Sequence, residues 1–119
     1  MKDICIVART HKLLDDYIKQ FAQAGIASYE IKRSKLDDRS FGGVRVATMH
    51  RVKGLEFRHV FVVAANKRTL PLASAITSDD PVVVAEAMTA ERCLLYVALT
   101  RAKESVQILS FGNPSEFLV

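Results

Sequence analysis

Short unbroken apolar runs alternate along this chain with amphipathic and polar stretches. The first run, Ile4-Cys5-Ile6-Val7-Ala8, has no polar face, the pattern of a strand covered on both sides in a parallel sheet. A helix is predicted directly after it. Thr10 can serve as N-cap; Leu14, Tyr17, Ile18, Phe21 and Ala22 fall on one face, Lys12, Asp15, Asp16, Lys19 and Gln23 on the other, and Gly25 marks the stop. Ala27 to Ile31 reads as a second strand, followed by a polar, charged connector from Lys32 to Gly43. Val44 to Thr48 predicts a third strand and Val60 to Ala65 a fourth, separated by the turn-rich basic segment Met49 to His59. Residues 66–81 predict mostly loop. A helix is then expected over Ala85 to Ala102, with Leu94, Leu95, Ala98, Leu99 and Ala102 as its apolar stripe, and a last strand over Val106 to Phe111. Asn113-Pro114-Ser115-Glu116 reads as a cap and first turn of a helix that the chain barely begins.

Strands and helices in this order predict an α/β fold, a mostly parallel sheet flanked by helices in a three-layer sandwich, built as one domain over residues 1–119. A chain of 119 residues buries enough surface for a core without metal or disulfide staples. No apolar run approaches the ~20 residues of a membrane helix, and the N-terminus does not read as a signal peptide, so a cytoplasmic protein with no membrane partner is expected. Cys5 and Cys93 stand apart from each other and from any Cys/His cluster, which predicts two buried structural thiols and no metal site. The net charge of +4 is compatible with a nucleic-acid partner without requiring one.

Ligands of open parallel sheets bind at the carboxyl ends of the strands, which draws attention to Arg9, Thr10 and His11 after the first strand and to the segment Thr48 to Glu56 after the third. Arg101, near the end of the late helix, is expected to join them in one cationic rim. Arginine's planar fork suits bidentate phosphate contacts. Simpler readings stand beside these: a surface ion pair for Arg9, and a helix-dipole complement for Arg101 with Lys103. Gly54 permits a tight turn or close approach to a ligand, and Glu56 offers acceptors to a ribose; the plain alternatives are a turn glycine and a solvated carboxylate. His50, with Arg51 and Lys53, forms a basic segment able to hold a phosphate backbone, or simply a solvated loop. No GxxxxGK[ST] loop is present, so hydrolysis of ATP or GTP by this chain alone is not expected. No Ser/His/Asp or Cys/His constellation is visible either.

Two long segments are more specific. Val46-Ala47-Thr48-Met49-His50-Arg51-Val52-Lys53-Gly54-Leu55-Glu56-Phe57 and Glu91-Arg92-Cys93-Leu94-Leu95-Tyr96-Val97-Ala98-Leu99-Thr100-Arg101-Ala102-Lys103 resemble the fifth and sixth helicase motifs of UvrD/Rep-like superfamily 1 DNA helicases. Ile6-Val7-Ala8-Arg9-Thr10 resembles the fourth, and Pro114-Ser115-Glu116-Phe117-Leu118 resembles the end of that region. The resemblance implies a second RecA-like motor domain that closes over ATP and its Mg2+, held mainly by an N-terminal ATPase domain not present in this sequence. It implies that Arg9 and Arg101 reach the γ-phosphate as arginine fingers, that Gly54 and Glu56 line the nucleotide, and that Thr48, His50 and Arg51 face single-stranded DNA. One short loop would then touch both fuel and track. Two departures accompany it. Only Ser34 to Gly43 joins the fourth and fifth motifs, where relatives often insert a subdomain, so that insertion is absent or reduced; and Asn66-Lys67-Arg68-Thr69-Leu70-Pro71 replaces an acidic pair and glycine. The alternative function is a free-standing nucleic-acid-binding module without motor activity.

Overall fold

The computed structural model describes residues 3–32 and 42–118. The charged connector and its reduced insertion, expected around 34–43, fall almost wholly outside the described residues. Strands β1 (Ile4–Ala8), β2 (Ser28–Glu30), β3 (Val44–Thr48), β4 (Phe57–Val62) and β5 (Ala102–Ile108) form one sheet in the order β2-β3-β1-β4-β5. Every neighbouring pair is parallel. β1 lies at the centre, which is why it carries no polar side chain: Cys5 and Val7 face one side, Ile6 and Ala8 the other.

Helix α1 (His11–Gln23) covers the Ile6 side. Its start is set by Thr10, whose hydroxyl accepts the Leu13 amide at 3.3 Å. Leu14 is buried against Ile6, Ala8, Val44, Val46 and Val63, with Tyr17, Ile18 and Phe21 at the margin. Helix α2 (Pro81–Leu99) covers the other side through Leu95 and Ala98, joined there by Met49, Val52 and Leu70. Helix, sheet and helix are the three layers of a RecA-like α/β fold.

Five local expectations are corrected. α2 begins at Pro81 rather than Ala85, because the Asp80 carboxylate accepts the Val82 amide at 2.9 Å and proline suits the first helical position. It ends at Leu99, so Ala102 belongs to β5 and Arg101 lies past the helix. β5 starts four residues earlier than its apolar content suggests: it is an edge strand whose Lys103, Glu104 and Ser105 are exposed, so alternation does not reveal it. β4 runs from Phe57, and its expected last residues, Val63 to Ala65, are buried but leave the ladder, Ala64 taking a positive φ of 55°. Cys93 is also exposed, on the face of α2 opposite Leu95, whereas Cys5 is fully buried.

The C-terminal residues fold back on the segment after β4. Ser115 is fully buried, its amide donating to the Ala65 carbonyl at 2.8 Å and its hydroxyl to that of Leu70. A single 3-10 turn follows at Glu116–Leu118.

Candidate functional site

Because all five strands point the same way, the sheet has a carboxyl edge and an amino edge, and the sequence determines which residues reach each. Arg9 follows β1, Lys32 lies shortly past β2 and Thr48 ends β3, so these stand at the carboxyl edge. Glu56 precedes β4 and Arg101 precedes β5, which puts them at the amino edge. The segment 49–56 crosses between the two, pinned under α2 by buried Met49 and Val52.

At the carboxyl edge, Thr48 and Arg51 line a cleft of about 360 Å³ together with His11, Leu14, Glu30, Ile31 and Lys32. The Arg51 amide donates to the Thr48 carbonyl at 3.0 Å, a tight turn that brings both side chains to the same opening. His11 stands at the lip between two carboxylates, Nδ1 3.3 Å from Asp15 and Nε2 2.9 Å from Glu30. The hydrogen bond with Glu30, then the charge of Asp15, push its pKa above the ordinary 6.5. Ligand atoms of these three residues lie within 4.8 Å of one another, a spacing a metal ion tolerates, yet each ring nitrogen already faces an anion.

His50 is exposed on the turn that follows β3. Partial burial, then the charges of Arg9 and Arg51, hold its pKa below 6.5, so at neutral pH it presents a neutral ring able to stack or to donate one hydrogen bond. Arg9 is engaged: its Nε and Nη2 donate to the two oxygens of Glu91 on α2 at 2.9 and 2.7 Å, with side chains only 11% and 4% exposed. Glu91 Oε1 also accepts the Leu72 amide at 2.7 Å. Burial alone would raise the pKa of that carboxyl, but the Arg9 and Leu72 hydrogen bonds outweigh it and hold the group below its usual 4.5.

At the amino edge the arrangement is open. The Phe57 amide donates to the Arg101 carbonyl at 2.9 Å, tying the end of the 49–56 segment to the residue after α2. Gly54, with φ +83°, makes the turn before it, and a Cβ there would meet open space. Its conformation asks for glycine; its surroundings leave room for a ligand. Glu56 lies 3.3 Å from Lys103, both exposed. Arg101 Nε donates to the Val97 carbonyl at 3.1 Å and Nη2 to the Thr100 hydroxyl at 3.2 Å, and no carboxylate among the described residues pairs with it. It both complements the helix end and keeps donors available.

The expected single cationic rim is therefore corrected. Eight strand positions separate the levels of Arg9 and Arg101 in the ladder, roughly 26 Å along the strand direction, so the two guanidinium groups do not converge on one phosphate. The structure brings together Gly54, Glu56 and Arg101 at one edge, and Thr48 and Arg51 at the other with His50 nearby. Sequence pattern does not single out Glu91. Its only signal is a carboxylate at a helix position whose neighbours at three and four residues, Leu94 and Leu95, face the core.

The family model described as the UvrD-like helicase C-terminal domain matches residues 10–112. YjcD of Bacillus subtilis (strain 168), a protein named "putative ATP-dependent DNA helicase", is 32% identical over 117 residues, which cover 95% of this chain and 14% of YjcD. ATP-dependent DNA helicase PcrA of Staphylococcus aureus (strain Mu50) is 40% identical over 78 residues, covering 60% of this chain and 10% of PcrA. Among solved structures, the C-terminal domain of a possible DNA helicase from a Lactobacillus, WCFS1, superposes with a TM-score of 0.69 at 22% identity over 98% of this chain and 61% of that one, a likeness of fold. The chain thus spans a small part of the curated relatives it matches.

Proposed function

Since this chain belongs to the UvrD-like helicase C-terminal domain family, we propose that it works as the second motor domain of an ATP-dependent DNA helicase. In this reading an N-terminal domain bearing the phosphate-binding loop docks against the amino edge and brings ATP with its Mg2+. Single-stranded DNA runs along the carboxyl edge.

The observation that carries the reading is the gathering of Gly54, Glu56 and Arg101 by the hydrogen bond from the Phe57 amide to the Arg101 carbonyl. The residues present suit a nucleotide: an open glycine turn lets the ligand approach, Glu56 offers acceptors to ribose hydroxyls, and Arg101 offers a fork without a competing carboxylate among the described residues. ATP is the source of the charge that builds during phosphoryl transfer. Arg101 supplies donors to that charge only when the domains close, which favours the closed state and the transition state together. Arg9 is proposed in another role. Its fork is committed to a buried carboxylate, and withdrawing it would strand that charge.

Thr48, His50 and Arg51 are proposed to hold the DNA, Arg51 at a phosphate, Thr48 through its hydroxyl and His50 against a base or sugar. The 49–56 segment then links track to fuel. No helix among the described residues is long and apolar enough to cross a membrane, and the cytoplasm, where DNA and ATP meet, is the proposed setting.

The test joins this chain to its ATPase domain and measures ATP hydrolysis with and without single-stranded DNA. Arg101→Ala is expected to lose about 10³-fold or more of the stimulated rate, the scale of arginine fingers. Normal turnover by that variant overturns the reading, and DNA binding without any stimulated hydrolysis by the parent protein favours the free-standing binding module.

A further inference from the structure

Glu91 is the only buried carboxylate among the described residues, and it joins three parts of the fold. Arg9 reaches it from the end of β1, the Leu72 amide from the segment after β4, and Glu91 itself stands midway along α2. No buried side-chain polar atom among the described residues is left without a partner, so the network is complete as it stands. The fork of Arg9 meets both carboxylate oxygens, which fixes orientation as well as distance.

This clamp sits at the carboxyl edge, within electrostatic reach of His50. From Glu91, α2 runs to Leu99, about 12 Å of helix, toward the amino edge. Its end is locked to Arg101 by the Arg101 amide on the Ala98 carbonyl at 3.2 Å and by Nε on the Val97 carbonyl. Arg101 in turn holds Phe57, and through it the segment that returns to His50. The two edges are thereby joined twice, by a helix and by a loop, in one closed ring.

We propose that Arg9 and Glu91 are positioning residues: their buried pair anchors α2 at the DNA edge, so that a shift of the His50 segment on DNA is delivered to Arg101 at the nucleotide edge. The inference rests on the reading above for what each edge binds. It gives Arg9 a task in coupling while leaving contact with the nucleotide to Arg101.

The experiment uses the chain joined to its ATPase domain and compares Glu91→Gln, Arg9→Lys, Arg9→Gln and Arg9→Gln/Glu91→Gln with Arg101→Ala. Steady-state hydrolysis is measured against ATP and against oligothymidylate, at a temperature where circular dichroism shows each variant fully folded. Glu91→Gln is expected to lower kcat at saturating DNA about tenfold, with KM for ATP little changed, the range of ordinary coupling between sites. The double variant should be no worse than either glutamine variant, because one interaction is removed in all three. Arg9→Lys, which keeps the charge but not the fork, should fall between, and it stands in if Glu91→Gln does not fold. A purely structural pair would lower Tm and leave kcat of the folded protein intact. Wild-type kcat and DNA stimulation in folded Glu91→Gln, or in its stand-in Arg9→Lys, or strictly additive losses, overturn the proposal. Should Arg101→Ala lose turnover while the pair variants keep it, this inference alone fails. Retained turnover in Arg101→Ala removes the underlying reading, and this inference with it.

Discussion

The two edges of the sheet both carry charged side chains and use them differently. At the carboxyl edge charge is wired inward: Arg9 and Glu91 are nearly dry, and His50 and His11 both have pKa values moved by their neighbours. At the amino edge charge stands in water. Lys103 with Glu56 at 3.3 Å, and Arg58 with Glu104 at 3.9 Å, are pairs between well-exposed side chains, of the kind that contributes little to stability. An arginine already bound to a buried carboxylate is part of the scaffold; one that caps a helix end with spare donors can still be recruited. That difference separates Arg9 from Arg101, although both follow or precede a strand and both sit in helicase-like motifs.

Removing the recruitable arginine should have the largest effect. Arg101→Ala should lose about 10³-fold or more in DNA-stimulated hydrolysis by the joined protein while single-stranded DNA affinity, measured by fluorescence anisotropy, changes little. A loss of affinity as large as the loss of rate would merge the two edges into one site. Next comes the core they share. Leu95→Ala should cost about 2–5 kcal/mol in urea unfolding, since Leu95 is 7% exposed between α2 and the sheet, and both functions should fail together as the protein melts. A smaller and one-sided effect is expected for Arg51→Ala, which should weaken DNA binding about tenfold and reduce the slope of affinity against salt by about one phosphate contact.

Acid titration sharpens the contrast further. Glu91 has a folded pKa below its unfolded value of 4.5, so the stability it contributes is present above that pH and is lost as pH falls through the lowered value. The Tm gap between wild type and Glu91→Gln should therefore be constant near neutrality and narrow as pH drops below 4.5. His11 runs the other way. Its folded pKa is raised above 6.5, so its contribution is complete below that pH and is lost as pH rises through the raised value. With a side chain 61% exposed, His11→Ala should shift Tm by only about a degree, and more at pH 6 than at pH 9.

Much of this was legible in the residues. The unbroken apolar runs gave β1 and the core, Thr10 gave the start of α1, and the third strand appears with the bounds that alternation assigns it. The motif residues Gly54, Glu56 and Arg101 do come together. What pattern could not show was on which edge each cation lies. The last strand is an exposed edge strand with polar residues at its start, so alternation sets it too late and leaves Arg101 inside a helix. Once β5 begins at Ala102, a parallel sheet requires Arg101 at the amino edge. The partner of Arg9 was hidden for a different reason: Glu91 is 82 positions away, and helical periodicity marks apolar faces, not a carboxylate buried among them.

DNA and nucleotide are proposed to meet opposite edges of one sheet. Amide chemical shifts of this chain, followed by NMR while oligothymidylate is added, test it directly. The largest movement is expected near Arg9, His11, Lys32 and Thr48 to Arg51, with smaller shifts passed on to Gly54, Phe57 and Arg101 to Lys103. Shifts centred on that second group, with Thr48 to Arg51 silent, would contradict it.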